Sequence, residues 1–210
     1  MLTVYWVNTG AAFPETLELI ERVRPQLPRF EEIAGNQARV IANYGFPTDL
    51  LPRTNTPMGR ASGLSGIALQ DSFSCCARVI MEPLHRRMLA DGITLIVRGQ
   101  RLAEKFKAPI SSGTVENGIE YLFPIEQWTD LDVDNYLISK GQPRLRFYDY
   151  MNMMPDCMTC TGWWEEHRGH YLDLFHPQAA QWYRNALHLI CTDANPLITA
   201  FNEELGEDES

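Results

Sequence analysis

The sequence predicts an α/β domain with a mostly parallel sheet flanked by helices. Two apolar runs, residues 2–7 (LTVYWV) and 93–97 (ITLIV), are typical of buried parallel strands. Each run ends at a loop that contains glycine, and Pro14 opens a helix soon after the first loop. Strand, loop and helix in this order indicate a βα unit, from which parallel sheets are built.

The next elements follow in order along the chain. Residues 29–44 predict a short strand or loop followed by a helix, and residues 73–90 predict another helix. Between them, residues 45–71 are rich in Gly, Pro, Ser, Thr and Asn and therefore predict a long loop. Residues 119–123 (IEYLF) predict a further strand.

Helices dominate the rest of the prediction. Thr129 is a suitable N-cap for a helix through Ile138, and Asp132 is placed for a weak capping box. Residues 178–192 and 196–205 predict two C-terminal helices. We therefore expect three regions: an α/β domain over 1–165, C-terminal helices over 166–205 packed on it, and an acidic tail at 206–210.

Composition narrows the classes of function. The 210 residues carry a net charge of −9, which disfavours broad binding to nucleic acid or anionic membranes. No apolar run reaches the length of a membrane span and the N-terminus does not resemble a signal peptide, so we expect a cytoplasmic protein without a membrane partner. In a reducing compartment, clustered cysteines bind metal more often than they form disulfides.

Two cysteine pairs are the strongest chemical signal. Cys75 and Cys76 are adjacent, and Cys157 and Cys160 form a C-x-x-C. Four thiolates are the usual ligand set of a tetrahedral zinc site or a [4Fe-4S] cluster. Adjacent cysteines converge more easily on a cluster than on one ion, so iron–sulfur is favoured, with zinc as the runner-up and unligated or redox-active thiols left open. Cys191, which stands alone, is expected to be a small buried apolar residue.

A second candidate site lies where the strand at 93–97 ends. Ligands of open α/β sheets bind at such strand ends. Gly99 would allow close backbone approach, and Arg98 and Arg101 could hold an oxyanion. The alternative is a pair of surface arginines beside a turn.

Other polar and aromatic residues give weaker indications of a functional site. His167 and His170 form an H-x-x-H without a suitably placed carboxylate, so surface histidines are favoured over a metal site. Glu165 and Glu166 are expected on a solvated helix face. The aromatic residues between 147 and 183 are expected to form a shell over the cysteine site.

Four segments, in the correct order, match motifs of one enzyme family. They are VNTGAAFPET (7–16), CCARVIMEPL (75–84), ITLIVRGQR (93–101) and FPIEQWTDLDVDNYL (123–137). They resemble the motifs of the sulfonucleotide reductases, which reduce adenylyl sulfate or phosphoadenylyl sulfate and have the adenine nucleotide α-hydrolase-like fold. The spacing from Cys76 to Cys157 is similar to that of the cluster-binding, adenylyl-sulfate branch.

The resemblance implies residue roles. The four paired cysteines would hold a [4Fe-4S] cluster beside a nucleotide cleft. The residues that would contact an adenine sulfonucleotide are Asn8, Thr9, Gly10, Gly99 and Arg101. In the family, a C-terminal cysteine attacks the sulfonate sulfur, and a thioredoxin-like thiol then releases sulfite.

Several features depart from the family pattern. The family's Ser-Gly-Gly-Lys-Asp-Ser phosphate loop does not precede the first strand, and residues 62–66 (SGLSG) lack its lysine. Asn8 stands where the family has aspartate, and Val79 and Ile80 replace an Arg-Lys pair, with Arg78 one place away. The C-terminal Glu-Cys-Gly-Leu-His segment is also missing from these residues. We therefore expect that this chain alone does not reduce a sulfonucleotide.

Three hypotheses follow. The first is an iron–sulfur reductase-like protein, truncated at its N-terminus and completed by a second polypeptide that supplies the phosphate loop. The second is a non-catalytic, cluster-stabilised binding or assembly module; the shortened form resembles phage-encoded proteins, for which the host cytoplasm or the virion is the expected location. The third is a sulfur-transfer subunit of DNA phosphorothioation. The sequence leaves a homo-oligomer open.

Overall fold

The chain forms two compact units. The computed structural model describes residues 2–48, 57–63, 66–104, 107, 109–151 and 156–206, so that segment 62–66 and the acidic tail lie partly outside the described residues. The first unit comprises Met1–Leu84 with Arg146–Ser210, and the second comprises His85–Leu145. The second unit is therefore an insertion in the sequence of the first.

The first unit begins with the expected βα unit. Strand β1 (Val4–Asn8) pairs in parallel with β2 (Phe30–Ala34), and helix α1 (Pro14–Val23) connects them. Pro14 occupies the first turn of α1, where its missing N–H leaves no hydrogen bond unmade. Helix α2 (Gln37–Tyr44) follows, and the Asn36 side chain caps it by accepting a hydrogen bond from the Arg39 N–H at 2.8 Å.

The prediction of one long loop over residues 45–71 is wrong at both ends, where the structure has short strands. Strand β3 (Phe46–Thr48) pairs in parallel with β4 (Leu69–Asp71), and a short helix α3 (Pro57–Ala61) lies between them in sequence. Three-residue strands are too short to show an alternating pattern, and here the buried Gln70 side chain supports the pairing by donating to the Gly45 carbonyl at 2.7 Å.

Residues 73–90 are helical, as predicted, but a π-helical segment interrupts the α-helix. Helix α4 (Ser72–Cys76) is capped by Asp71, whose carboxylate accepts from the Ser74 N–H at 2.7 Å. A π-helical segment (Ala77–Met81) separates it from α5 (Glu82–Ala90). Pro83 lies in the first turn of α5 and cannot donate a backbone hydrogen bond, which is consistent with a change of winding just before it.

The second unit contains a three-stranded sheet. Strand β5 (Leu95–Val97) pairs in parallel with β7 (Ile119–Leu122), and β6 (Val115–Glu116) pairs with β7 in the antiparallel direction. Leu95 and Val97 are 46% and 48% exposed, so the predicted burial of this strand is wrong. Helix α6 (Asp130–Ser139) has the predicted capping box between Thr129 and Asp132.

Two C-terminal helices, α7 (Arg168–Phe175) and α8 (Pro177–Leu205), complete the first unit. The two helices predicted over 178–192 and 196–205 are one continuous helix, and Pro196 lies inside it. The buried residues of α8 form one stripe, comprising Ala180, Tyr183, Ala186, Ile190 and Ala194. Short 3-10 turns lie at Arg24–Gln26, Arg146–Asp149 and Trp164–Glu166.

These elements confirm the α/β class with mostly parallel pairing. Of the strand pairings in the described residues, only β6 with β7 is antiparallel. No helix in the described part of the chain has the length and hydropathy needed to cross a membrane.

Candidate four-cysteine site

The two cysteine pairs come from different kinds of structure in the first unit. Cys75 and Cys76 are the last residues of the short helix α4. Cys157 and Cys160 lie in the irregular segment before the 3-10 turn at Trp164–Glu166. Cys75 and Cys160 are buried, Cys76 and Cys157 are half-buried, and none of them forms a disulfide.

Close backbone packing brings the C-x-x-C segment to α4. A Cβ atom added to Gly162 would lie 2.1 Å from Oγ of Ser72, so only glycine fits against the start of that helix. Beside it, the Thr161 hydroxyl donates to the Pro47 carbonyl at 2.5 Å. The Met158 N–H donates to the Ala11 carbonyl at 2.8 Å, which attaches the same segment to the loop after β1.

The thiols lie within electrostatic range of one another. Burial, together with the charges of Cys160 and Cys76, raises the pKa of Cys75 to about 12. Burial and the charge of Cys160 likewise raise the pKa of Cys76 to about 12. The pKa of Cys157 is raised by burial and then by Cys160, Asp156 and Cys76, although a hydrogen bond from Thr9 opposes this. Without added positive charge, all of these groups are protonated thiols at neutral pH.

Arg168, which no sequence pattern indicated as part of a site, lies next to Cys160. The Arg168 side chain is buried, and its guanidinium donates to the carbonyl oxygens of Cys160 and Gly162 and to the carboxylate of Glu166. Burial raises the pKa of the Cys160 thiol, and the positive charge of Arg168 opposes that shift.

The prediction that Glu166 is solvated is wrong. Glu166 is only 2% exposed and forms a buried ion pair with Arg168. Trp163 and His167, on either side of the 3-10 turn, both have left-handed backbone conformations, with φ of 61° and 58°. A positive φ is uncommon for residues other than glycine, so the sequence gives little indication of either conformation.

The aromatic shell expected over the cysteines is present only in part. Trp163 hydrogen-bonds the Cys76 sulfur and meets the Phe73 ring edge-on, with ring centroids 4.8 Å apart. In contrast, Phe147, Tyr150 and Tyr171 pack around α1 and α7 rather than over the sulfurs.

The predicted nucleotide loop adjoins the cysteines. Thr9 is 2% exposed, its carbonyl accepts from the Gln37 N–H at 2.9 Å, and its hydroxyl bonds the Cys157 sulfur. Gly10 has φ of 77°, which favours glycine in this turn. Asn8 bonds Glu32 through its amide nitrogen at 2.9 Å, where an aspartate would place two carboxylates together.

Gly99 and Arg101 belong to the second unit. A Cβ at Gly99 would make only an ordinary contact, 3.6 Å from Cδ1 of Ile125. Arg101 pairs with the carboxylates of Asp130 at 2.7 Å and Glu104 at 3.5 Å. An anionic ligand would compete with these carboxylates for the guanidinium.

A second polar network, also missed from the sequence, surrounds Glu15 at the start of α1. Its Oε1 accepts from the Tyr171 hydroxyl at 2.5 Å and from Arg146 at 2.8 Å, and His176 Nε2 lies 3.1 Å away. Burial opposes ionisation of Glu15, but the bonds from Tyr171 and Arg146 outweigh it and lower the pKa of this carboxyl. Its Oε2 is buried without a partner among the described residues.

The predictions for the histidine pair and for Cys191 have different outcomes. His167 and His170 are exposed, as expected for surface histidines. Cys191 is exposed and bonds Asn195, so its predicted burial is wrong.

The donor set of the four cysteines fits the group that the sequence suggests. Among the described residues, no three or more His, Cys, Asp or Glu side chains stand in the arrangement that encloses a metal ion. The four sulfurs nevertheless share one buried neighbourhood, with a buried guanidinium beside Cys160 to offset negative charge. Thiolates of this kind suit iron–sulfur clusters and zinc. Their role as ligands stays a prediction.

Comparison with known proteins decides the family. The family model described as "Phosphoadenosine phosphosulfate reductase domain" matches residues 2–162, which is most of the chain. The chain belongs to this family. The resemblance drawn from the four sequence motifs is thereby confirmed, together with the fold class.

Among the solved structures that match this member of the phosphoadenosine phosphosulfate reductase family is that of a sulfonucleotide reductase. It is the phosphate complex of the phosphoadenylyl-sulfate reductase from Candida auris, with 17% identity over 74% of this chain and 69% of that chain, at a TM-score of 0.48. No curated relative matches the chain.

Proposed function

We propose that this chain is an iron–sulfur member of its family, with Cys75, Cys76, Cys157 and Cys160 as the ligands of one [4Fe-4S] cluster. The observation that supports the proposal is the packing of the segment with Cys157 and Cys160 against helix α4, which carries Cys75 and Cys76. A bound cluster would supply a compact multi-iron centre whose charge and reduction potential are set by the residues around it.

The residues next to the sulfurs have roles in this proposal. Trp163 bonds the Cys76 sulfur, and the Phe73 ring meets the Trp163 ring edge-on and supports it. Thr9 orients Cys157 through its hydroxyl and at the same time fixes the loop after β1. Movement at the cysteines is therefore transmitted to the loop that we assign to the nucleotide.

The ligand that we assign to that loop is an adenine sulfonucleotide. Family membership supports this class of substrate. Backbone groups of Asn8, Thr9 and Gly10 would contact the adenosine, as the family resemblance implies. For Gly99 and Arg101, in the second unit, the resemblance implies a role toward a sulfonate or phosphate group.

Contacts to the phosphate would be completed by a loop outside these residues, on a second polypeptide or another segment. Two candidate cations in the described residues already have partners, which supports this view. Arg78 bonds Gln70 at 2.6 Å and lies over the Tyr44 ring at 4.2 Å, and Arg101 pairs with Asp130.

Anaerobic purification tests the cluster. We expect a brown protein with about four iron and four sulfide per chain, bleached by dithionite. Cys76→Ser should lose the iron, whereas the exposed Cys191→Ser should retain it. A colourless protein with one zinc per chain, or equal iron in both variants, would reject the proposal.

Calorimetry with adenylyl sulfate tests the substrate. We expect binding that Gly10→Val abolishes, because a β-branched residue is strained at its positive φ. A cluster-loaded protein that binds no adenylyl sulfate would instead be the non-catalytic module. Release of sulfite only after addition of a partner with the phosphate loop would establish the two-chain enzyme.

A further inference from the structure

The ion pair of Arg168 and Glu166 is buried beside the segment that carries Cys160. Both side chains are almost fully excluded from solvent, at 2% and 3% exposure. Removing two charges from water is costly, and apolar replacements of a buried pair are often at least as stable. The pair is thus a weak source of stability and a candidate for another role.

Its position next to Cys160 suggests that role. Arg168 donates two hydrogen bonds to the backbone around Cys160, while its Nε is buried without a partner among the described residues. Four thiolates carry more negative charge than an iron–sulfur core neutralises, so a ligated site is anionic. A fixed cation in a poorly screened interior acts strongly on such a charge.

The two members of the pair act on Cys160 in opposite directions. The positive charge of Arg168 favours negative charge at the sulfur, and the negative charge of Glu166 opposes it. The guanidinium donates to the Cys160 carbonyl, and the Glu166 carboxylate accepts from the same guanidinium. The pair therefore presents a net positive field to the sulfur.

We propose that the Arg168–Glu166 pair sets the reduction potential of the metal centre, Arg168 favouring the more negative reduced state and Glu166 limiting that effect. This inference rests on the proposed cluster. Arg168 is a positioning residue, since it acts on the centre through Cys160. The similarly placed Arg78 is partly exposed and shares its charge with Gln70 and Tyr44, so its influence is weaker.

The test is a redox titration of the reconstituted protein, followed by electron paramagnetic resonance of the reduced form. Arg168→Met should lower the reduction equilibrium constant about tenfold, a shift of about 59 mV for one electron. Glu166→Gln should raise the potential, and Arg168→Lys should stay close to the original protein. The exposed pair of Arg184 and Asp173 supplies matched controls, and neither Arg184→Met nor Asp173→Asn should move the potential.

The opposite signs distinguish this role from a structural one. A pair needed only for folding would lose iron in both variants or shift both potentials in the same direction, and either result overturns the inference. Intact iron content with unmoved potentials overturns it while leaving the cluster assignment in place. Absence of iron and sulfide from the original protein overturns both. If the Arg168→Met protein does not hold iron, the reduction potential of the Glu166→Gln protein is the deciding measurement. An unchanged or lowered potential in that protein contradicts the proposal.

Discussion

Glu15 shows how one side chain can join three distant parts of a chain. It lies in the first turn of α1, and its partners Arg146, Tyr171 and His176 come from the segment that follows the second unit. Phe13, next to the start of the same helix, packs against Tyr171 with ring centroids 5.9 Å apart. The network therefore fixes the C-terminal part of the first unit to its N-terminal βα unit.

The stability supplied by Glu15 should depend on pH. Its folded pKa lies below the ordinary value of 4.5, so the contribution is present at neutral pH and is lost as the pH falls below 4.5 through the lowered pKa. We expect Glu15→Gln to reduce the free energy of unfolding by about 1 kcal/mol at neutral pH, the value being modest because the group is partly exposed.

Urea unfolding at a series of pH values measures this effect. The difference between the original protein and Glu15→Gln should shrink steadily under acidic conditions. The exposed Glu18→Gln on the same helix is the control and should show no such trend. A difference that is constant with pH would contradict the assignment.

At the scale of elements, the segment 156–163 is positioned by its neighbours. It has no regular secondary structure of its own, and it meets the loop after β1, strand β3 and helix α4 through Met158, Thr161 and Gly162. The geometry of Cys157 and Cys160 is thus set by elements remote in sequence.

Gly162→Ala tests this packing. The added methyl group would overlap Ser72, so we expect a loss of about 1–3 kcal/mol in the free energy of unfolding. We also expect weaker retention of metal, because the overlap would push the C-x-x-C segment away from Cys75 and Cys76. Gly169→Ala, where a Cβ would lie 3.5 Å from the Tyr183 ring, should be neutral or stabilising. Denaturant unfolding of both variants, with metal analysis, gives the comparison, and equal losses would refute the argument.

The elements that sequence patterns predicted are those stabilised by local interactions. Helix α1 begins at Pro14 and α6 begins with the box of Thr129 and Asp132, because both signals act within one turn. Strands β3 and β4 were missed, since their stability comes from pairing with each other. Local chemistry also suggested the paired cysteines, whereas the burial of Glu166 accompanies its pairing with Arg168, which no sequence pattern indicated.

At the scale of the whole molecule, the cysteine site belongs to one of two units. Both cysteine pairs lie in the first unit, and His85–Leu145 forms the second. The second unit has its own sheet and its own capped helix, α6. A group bound by the cysteines should therefore stabilise the two units unequally.

Removal of the metal tests whether the bound group stabilises the first unit more than the second. A ligand that binds only the folded state stabilises what it contacts, so chelation should lower the protection of amides in the first unit. We expect faster hydrogen exchange in α4 and around 156–168, with little change in β7 and α6. Exchange measured by mass spectrometry before and after anaerobic chelation gives the result. Uniform loss across both units would argue against a site confined to the first.

The insertion of one unit within the other has a consequence during translation. Ribosomes extend a chain by roughly 5–20 residues per second, so Cys75 and Cys76 emerge several seconds before Cys157 and Cys160. Through that interval Phe13 lacks Phe147 and Tyr171, which pack against it in the finished protein. The nascent first half is then exposed to chaperones and proteases, and any group that requires all four sulfurs can load only near the end of synthesis.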